Sequence, residues 1–273
     1  MQTIVHETNF GPVALTEVGA GGVLIVLLHA AAAGPHALVD LAKLLAAAGR
    51  RVWLPALAGY DATGPGADLD PVAAHVRVAG WVLDAARADA TVERVVLVGH
   101  SMGGLVAAKA AAGRDDLMAL ILCEPIVLAT LARDDPALIR DAALIDALDA
   151  GVASGNPEPA VAAFVAAWNE IAWSALPAEV RQRLAAGAAR LARETRSVNQ
   201  DATPDAVWAT ITTRATVVHG DRSPALAATM AQNLVERLPR ATRVTLPRLG
   251  HMAPVLAPER VAALIERATA RAC

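Results

Sequence analysis

Residues 99–103 combine a serine with flanking glycines in a pattern that suits nucleophilic catalysis. The stretch reads Gly99-His100-Ser101-Met102-Gly103. It follows an apolar run at residues 95–98, which predicts a buried strand, and it precedes a segment of good helix formers. On such a sharp turn the serine hydroxyl projects from the sheet, and the glycines avoid a clash in the strained backbone. We therefore predict that Ser101 is a nucleophile.

A serine hydroxyl is a weak nucleophile near neutral pH, so it needs a base within hydrogen-bond reach. Seven histidines are available, and His251 has the most suitable position. It lies at residues 250–254, in a loop between the last predicted strand and the final predicted helix. Such a loop reaches the sheet edge at which the Ser101 turn lies. We therefore predict that His251 is the general base.

The elements that must position these residues are short apolar strands that alternate with helices. Strands are predicted at residues 3–7, 13–18, 23–28, 51–55, 95–98, 117–124, 215–219 and 242–246. Helical spacing follows most of them, and the clearest example is the final helix at residues 258–270. Alternation of this kind predicts an α/β protein with a mostly parallel sheet and helices on both faces.

The alternation stops after residue 125 and resumes after residue 204. Asp135-Pro136 predicts the start of one helix, Asn156 caps a second, and a third begins near Pro177 and extends through Leu191. We expect residues 126–204 to form a helical cap over the carboxyl edge of the sheet. Residues 1–125 and 205–273 would then form the α/β core.

The strand–turn–serine motif, the order Ser–acid–His and the helical interruption resemble the α/β-hydrolase family over the whole chain. The resemblance implies the α/β-hydrolase fold, with a helical cap inserted after the sixth strand. In most members the acid is an aspartate three residues after the glycine that ends the seventh strand, but Ser223 occupies that position here.

Two carboxylates are therefore candidates for the acid of a catalytic triad. Glu124 ends the sixth strand, where some relatives, including certain lactone hydrolases, carry their acid. A carboxylate at the tip of a buried strand is costly to desolvate without a partner, and the imidazolium of His251 would supply one. Asp221 is the alternative, although it lies two positions before Ser223. A third possibility is that Glu124 is a strand-end carboxylate that faces solvent.

The resemblance also implies an oxyanion hole of two backbone N–H groups. By position these belong to Met102, which follows the nucleophile, and to Ala31, where relatives usually have glycine. His29, Trp168 and Trp173 are predicted to line the substrate pocket. The alternative for Trp168, which lies on an apolar helix stripe, is that it packs the cap onto the core. Trp173 lies off that stripe and is the stronger pocket candidate.

Charge and composition disfavour several kinds of partner. The 273 residues carry a net charge of −3, and the only lysines are Lys43 and Lys109, so we expect neither a nucleic acid nor a membrane partner. Cys123 and Cys273 cannot form a disulfide framework, and we see no signal peptide, so a cytoplasmic location is expected. We expect a monomer or homodimer, with no cofactor and no metal.

The expected activity is that of a serine hydrolase acting through an acyl-enzyme at Ser101. The substrate would be a carboxylic ester or lactone of small to medium size and apolar character. Two alternatives remain. One is a non-hydrolytic enzyme of the same fold, such as an acyltransferase, a hydroxynitrile-lyase-like enzyme or a cofactor-free oxygenase. The other is a small-molecule binding protein without catalysis, which only the serine at position 223 favours.

Overall fold

One mixed sheet of eight strands organises the chain, of which a computed structural model describes residues 1–169 and 171–272. The strands are β1 (Gln2–Thr8), β2 (Gly11–Val18), β3 (Val23–Leu28), β4 (Arg51–Pro55), β5 (Arg94–His100), β6 (Leu117–Cys123), β7 (Ala215–Gly220) and β8 (Ala241–Leu246). Their order in the sheet is β1-β2-β4-β3-β5-β6-β7-β8. β2 pairs antiparallel with both β1 and β4. The other six strands, β3 to β8, are parallel to one another.

Helices cover both faces of this sheet. They are α1 (Val39–Ala47), α2 (Pro71–Ala88), α3 (Met102–Ala111), α4 (Pro136–Ala153), α5 (Glu158–Trp168), α6 (Ala178–Ala186), α7 (Ala188–Gln200), α8 (Asp205–Trp208), α9 (Ala225–Arg237), α10 (Ala253–Leu256) and α11 (Pro258–Ala270). Helices α1 and α11 pack on one face, and α2, α3 and α9 pack on the other. The predicted α/β fold class, with a mostly parallel sheet between helical layers, is confirmed.

The segment between β6 and β7 is helical, as expected, and contains α4 to α7. We call residues 126–204 the insertion. Its helices share a small apolar cluster of their own, which includes Leu148, Val161 and Leu191. The single helix predicted from Pro177 through Leu191 is wrong, because the chain turns at Gly187 and forms two helices, α6 and α7. The division of the chain into a core and a separate cap stays a prediction.

The strands end where the sequence predicts reactive side chains. Ser101 follows β5, Glu124 follows β6, and His251 lies in the loop after β8. Because β5, β6 and β8 are parallel members of one sheet, their carboxyl ends meet at the same edge. In the described ranges we find no helix with the length and apolar character that crossing a bilayer requires.

Candidate active site

Ser101 lies in a strained turn between β5 and α3. Its φ is +58° and its ψ is −121°, a backbone conformation that residues other than glycine rarely adopt. The surrounding glycines make this turn possible because backbone atoms approach them closely. A Cβ on Gly99 would lie 2.1 Å from the carbonyl oxygen of Gly103, and one on Gly103 would lie 2.5 Å from that of Leu28. The turn leaves Ser101 only 8% exposed.

His251 connects Ser101 to a carboxylate. Its Nε2 lies 3.0 Å from Oγ of Ser101, and its Nδ1 lies 3.3 Å from Oε2 of Glu124. A neutral imidazole with its proton on Nδ1 donates to the carboxylate and accepts the serine hydroxyl. The ring of His100 donates from Nε2 to the backbone carbonyl of His251 over 2.8 Å, which anchors the loop. Burial lowers the pKa of His100 to about 3, so this ring is neutral.

Glu124 is held rigidly beside His251 and is 3% exposed. Its φ is +52°, and its N–H donates to the carbonyl of Val218 in the neighbouring strand. Its Oε1 accepts two hydrogen bonds, one from the N–H of Gly220 and one from the hydroxyl of Ser223 at 2.7 Å. Burial raises the pKa of Glu124, but the hydrogen bond and charge of His251, with the two donors to Oε1, outweigh burial and lower the pKa below its usual value.

The other candidate acid is directed elsewhere. Asp221 is exposed, and its Oδ1 accepts the backbone N–H of Arg248 in the turn after β8. The structure therefore brings Glu124, and not Asp221, to His251. Ser223 occupies the position where the resemblance to α/β-hydrolases implies an aspartate, and its hydroxyl donates to Glu124.

The loop after β3 and the start of α3 border the same cavity as Ser101. Ala31 and Met102 both line the cavity that contains Ser101. Among the described residues, no protein acceptor binds the N–H of either one. His29 fixes the peptide that carries the N–H of Ala31. Its Nε2 accepts the N–H of Leu57 at 3.1 Å, which leaves its proton on Nδ1 to donate to the carbonyl of Ala30 at 2.9 Å.

A second anchor of this loop extends from the insertion. Ala32 has a φ of +60°, and its N–H donates to the hydroxyl of Tyr60 at 2.8 Å. That hydroxyl donates in turn to Oε2 of Glu194 on α7, at 2.7 Å. The guanidinium of Arg190 lies over the ring of Tyr60, 3.9 Å from its centroid. Since the hydroxyl proton of Tyr60 is donated to Glu194, a lone pair of the same oxygen can accept the N–H of Ala32. This hydrogen bond stabilises the strained peptide at Ala32.

A cavity of about 340 Å³ opens above Ser101 and His251, between the sheet edge and the insertion. Alanine, valine, leucine and isoleucine form most of its wall, and Met102 and Trp168 contribute larger side chains. The ring of Trp168 lies 5.1 Å from that of His251, centroid to centroid. A cavity of this size and polarity fits a small to medium apolar molecule.

Comparison with known proteins identifies the family. The model of the alpha/beta hydrolase family matches residues 25–264. The chain belongs to this family. No curated protein sequence matches this α/β hydrolase at a significant level.

Solved structures share the fold of this α/β hydrolase at low sequence identity. An esterase from Exiguobacterium antarcticum superposes with a TM-score of 0.79 at 17% identity, over 98% of this chain and 100% of its own. A thermophilic esterase from Thermogutta terrifontis gives 0.76 at 20% identity, over 100% and 99%. Proline iminopeptidase from Mycobacterium smegmatis gives 0.64 at 17% identity, over 100% of both chains. At these identities the likeness concerns the fold alone.

Two of the predicted pocket residues of this α/β hydrolase need correction. Trp173 does not line the cavity, because it packs against the apolar cluster of the insertion and its Nε1 donates to Glu158 at 3.2 Å. His29 is fully buried behind the loop, where both ring nitrogens bind backbone groups. Trp168, the remaining candidate, is in the cavity wall.

Several residues of the site were not predicted from the sequence. Tyr60 and Glu194 lie far apart in the chain, and neither belongs to a recognisable motif. Asp141 in the cavity wall did leave a signal in the sequence. It lies four residues after Ala137 and four before Ile145, so a charged residue occupies the buried stripe of an apolar helix.

Proposed function

We propose that the chain is a serine hydrolase that cleaves a carboxylic ester or lactone through an acyl-enzyme at Ser101. The observation that carries the proposal is the chain of contacts from Ser101 through His251 to Glu124, with distances of 3.0 Å and 3.3 Å. This arrangement of nucleophile, base and acid is the one that acyl transfer requires. It opens onto an apolar cavity that suits an uncharged acyl or alcohol group.

The first half of the reaction acylates the serine. Oγ of Ser101 attacks the carbonyl carbon while Nε2 of His251 takes its proton, and the carbonyl electron pair moves onto the oxygen. The N–H groups of Ala31 and Met102 would donate to this oxyanion. When the tetrahedral intermediate collapses, the alkoxide leaves and takes the proton from His251. In a lactone the alcohol stays attached to the acyl group.

The second half repeats these steps with water. His251 removes a proton from water, whose oxygen attacks the acyl carbon, and the proton then returns to Oγ of Ser101 as the carboxylic acid leaves. Glu124 keeps the imidazole in the required tautomer and stabilises its cation in both halves. Serine at position 223 favoured a binding protein without catalysis, because an aspartate is usual there. It no longer supports that alternative, since Ser223 donates to Glu124.

The test combines covalent labelling with turnover. A fluorophosphonate probe should modify Ser101, located by peptide mass spectrometry, and p-nitrophenyl esters of graded chain length together with a lactone panel should define the substrate. Ser101→Ala should lower kcat by about 10⁶-fold, the loss seen when a serine protease loses its nucleophile. The matched control is Ser174→Ala at an exposed serine of the insertion. Unlabelled Ser101, or ester turnover by Ser101→Ala within tenfold of the wild type, would refute the proposal.

Assays with an added acceptor alcohol separate hydrolysis from the related chemistries. If the ester is consumed only when the alcohol is present, the enzyme is an acyltransferase. If the probe labels Ser101 but no ester or lactone turns over, a non-hydrolytic reaction on the same residues is the better assignment.

A further inference from the structure

Asp141 is a buried carboxyl group in the wall of the apolar cavity. It lies on α4 and is 7% exposed. Its Oδ2 accepts one hydrogen bond, from the side-chain amide of Asn199 at 3.3 Å. Among the described residues Asp141 forms no ion pair, and a group with two oxygens and about four lone-pair sites has a single, long hydrogen bond. Buried polar groups in proteins are normally better satisfied than this.

Asp141 occupies a buried position of α4 at which an apolar residue would be expected. Ala137, Ile145 and Leu148 share the buried stripe of α4 with Asp141, and Leu148 belongs to the apolar cluster of the insertion. Burial raises the pKa of Asp141, and the hydrogen bond from Asn199 only partly opposes this effect. A carboxyl group with so few partners in the wall of an apolar cavity is typical of a residue that binds a ligand.

A second polar group of the cavity wall comes from α7, the helix that packs against α4. The hydroxyl of Thr195 donates to the carbonyl of Leu191 at 2.8 Å, which leaves its oxygen lone pairs as acceptors. Asn199, the partner of Asp141, lies one turn further along the same helix. We call Asp141 and Thr195 together the polar wall. Both belong to the insertion, whereas Ser101 and His251 belong to the edge of the sheet.

We propose that the polar wall binds a hydroxyl group that the substrate carries away from its scissile ester, so the substrate class is a hydroxylated ester or lactone. This proposal rests on the proposed function. A hydroxyl can donate to Asp141 as a carboxylate or accept from it as a carboxylic acid, and it can donate to Thr195 in either case. An ammonium group fits less well, because Asp141 is the only acid in the described wall and the exposed Arg183 adds a positive charge there.

The test compares pairs of p-nitrophenyl esters with equal chain length, one with a terminal hydroxyl on the acyl chain and one without. For the wild type we expect kcat/KM to be about tenfold higher for the hydroxylated ester at the best chain length, the value of one hydrogen bond to a carboxyl group. Asp141→Leu should abolish this preference, so that the ratio of kcat/KM for the hydroxylated ester to kcat/KM for the plain ester falls to about one. Asp141→Asn, which keeps the shape and the hydrogen-bonding capacity, should retain part of the preference.

The matched control is Asp146→Leu, on the same helix at an exposed position that pairs with Arg196. It should leave the preference unchanged. The proposal is overturned if the wild type does not prefer the hydroxylated ester, if Asp141→Leu keeps the preference, or if the corresponding ω-ammonium ester is the better substrate.

A binding measurement separates this proposal from the proposed function. Trp168 lines the cavity, so its fluorescence can report binding without turnover, and a Trp168→Phe variant identifies its signal. The probes are a linear alkanediol and the alkanol of equal length. If no ester is hydrolysed but the diol binds more tightly and Asp141→Leu removes the difference, the polar wall stands and the proposed function fails. If esters are hydrolysed but neither turnover nor binding favours the hydroxyl, the polar wall fails alone.

Discussion

Replacing Glu124 by glutamine removes the charge beside His251 while nearly preserving the side-chain shape. The structure determines how the new amide would lie. Oε1 of Glu124 accepts from Gly220 and from Ser223, so the amide oxygen must occupy that place and the NH₂ group must face His251. Nδ1 of His251 would then accept a hydrogen bond, and the imidazole proton would move to Nε2. In that tautomer His251 cannot take the proton of Ser101.

The size of the effect follows from the charge that is lost. At 3.3 Å and an effective dielectric constant of about 20, a carboxylate stabilises the imidazolium of His251 by about 5 kcal/mol. This energy corresponds to a loss of about 10⁴-fold in kcat, and an aspartate-to-asparagine change in a serine protease has an effect of the same order. The measurement is kcat on the best ester substrate, with circular dichroism to verify that the variant is folded.

Asp221→Asn provides the matched control, because Asp221 is exposed and binds only the turn at Arg248. It should change kcat by less than about threefold. A crippled Asp221→Asn beside a nearly normal Glu124→Gln would refute the assignment and place the acid after β7. Mild losses in both variants would mean that Ser101 and His251 act as a dyad without an acid.

Three further predictions concern the surroundings of this site. Ser223→Ala should lower kcat about tenfold, because Glu124 loses a hydrogen-bond donor. The loss of this donor also raises the pKa of Glu124, so the acid limb of the pH–kcat profile should shift to higher pH. An acid limb that does not move would contradict this prediction. Burial, with the charge of Glu124 beside it, raises the pKa of the Cys123 thiol to about 12, so iodoacetamide should modify Cys123 only after unfolding, as read by peptide mass spectrometry. Burial lowers the pKa of His100 from 6.5 to about 3, so between these values protons favour the unfolded chain. The free energy of unfolding, from urea titrations, should therefore decrease by about 1.4 kcal/mol from this residue for each unit by which the pH is lowered from 6.5 towards 3, and His100→Gln should remove that contribution.

The sequence was informative where strand ends carry reactive residues. Ser101, Glu124 and His251 each follow a strand, and the rule that parallel strands end at one edge is enough to bring them together. It does not decide between Glu124 and Asp221, which both lie at that edge. The structure separates them through the backbone, because the positive φ of Glu124 holds its side chain beside His251 and the turn at Arg248 takes the carboxylate of Asp221.

The insertion was harder to predict because its helices pack on one another as well as on the core. Helical spacing favoured one helix through Gly187, whereas the packing of α7 against α4 requires a turn there. Trp173 was misplaced for a similar reason, since no periodicity shows which way a residue between two helices faces. The contact of Tyr60 with Glu194 joins residues 134 positions apart, and their types alone give no sign of it.

That contact limits how this protein can change. Tyr60 belongs to a loop of the sheet, Glu194 belongs to the insertion, and their hydrogen bond holds the peptide of Ala32 next to the predicted oxyanion hole. Exchange of the insertion for that of a relative would therefore leave a buried phenol without its acceptor and release a strained peptide beside Ser101. We expect chimaeras that carry the insertion of a relative to bind new substrates but to react slowly. Their reaction should be restored when residue 60 is replaced by the residue of the same relative, so that it matches the new residue at position 194.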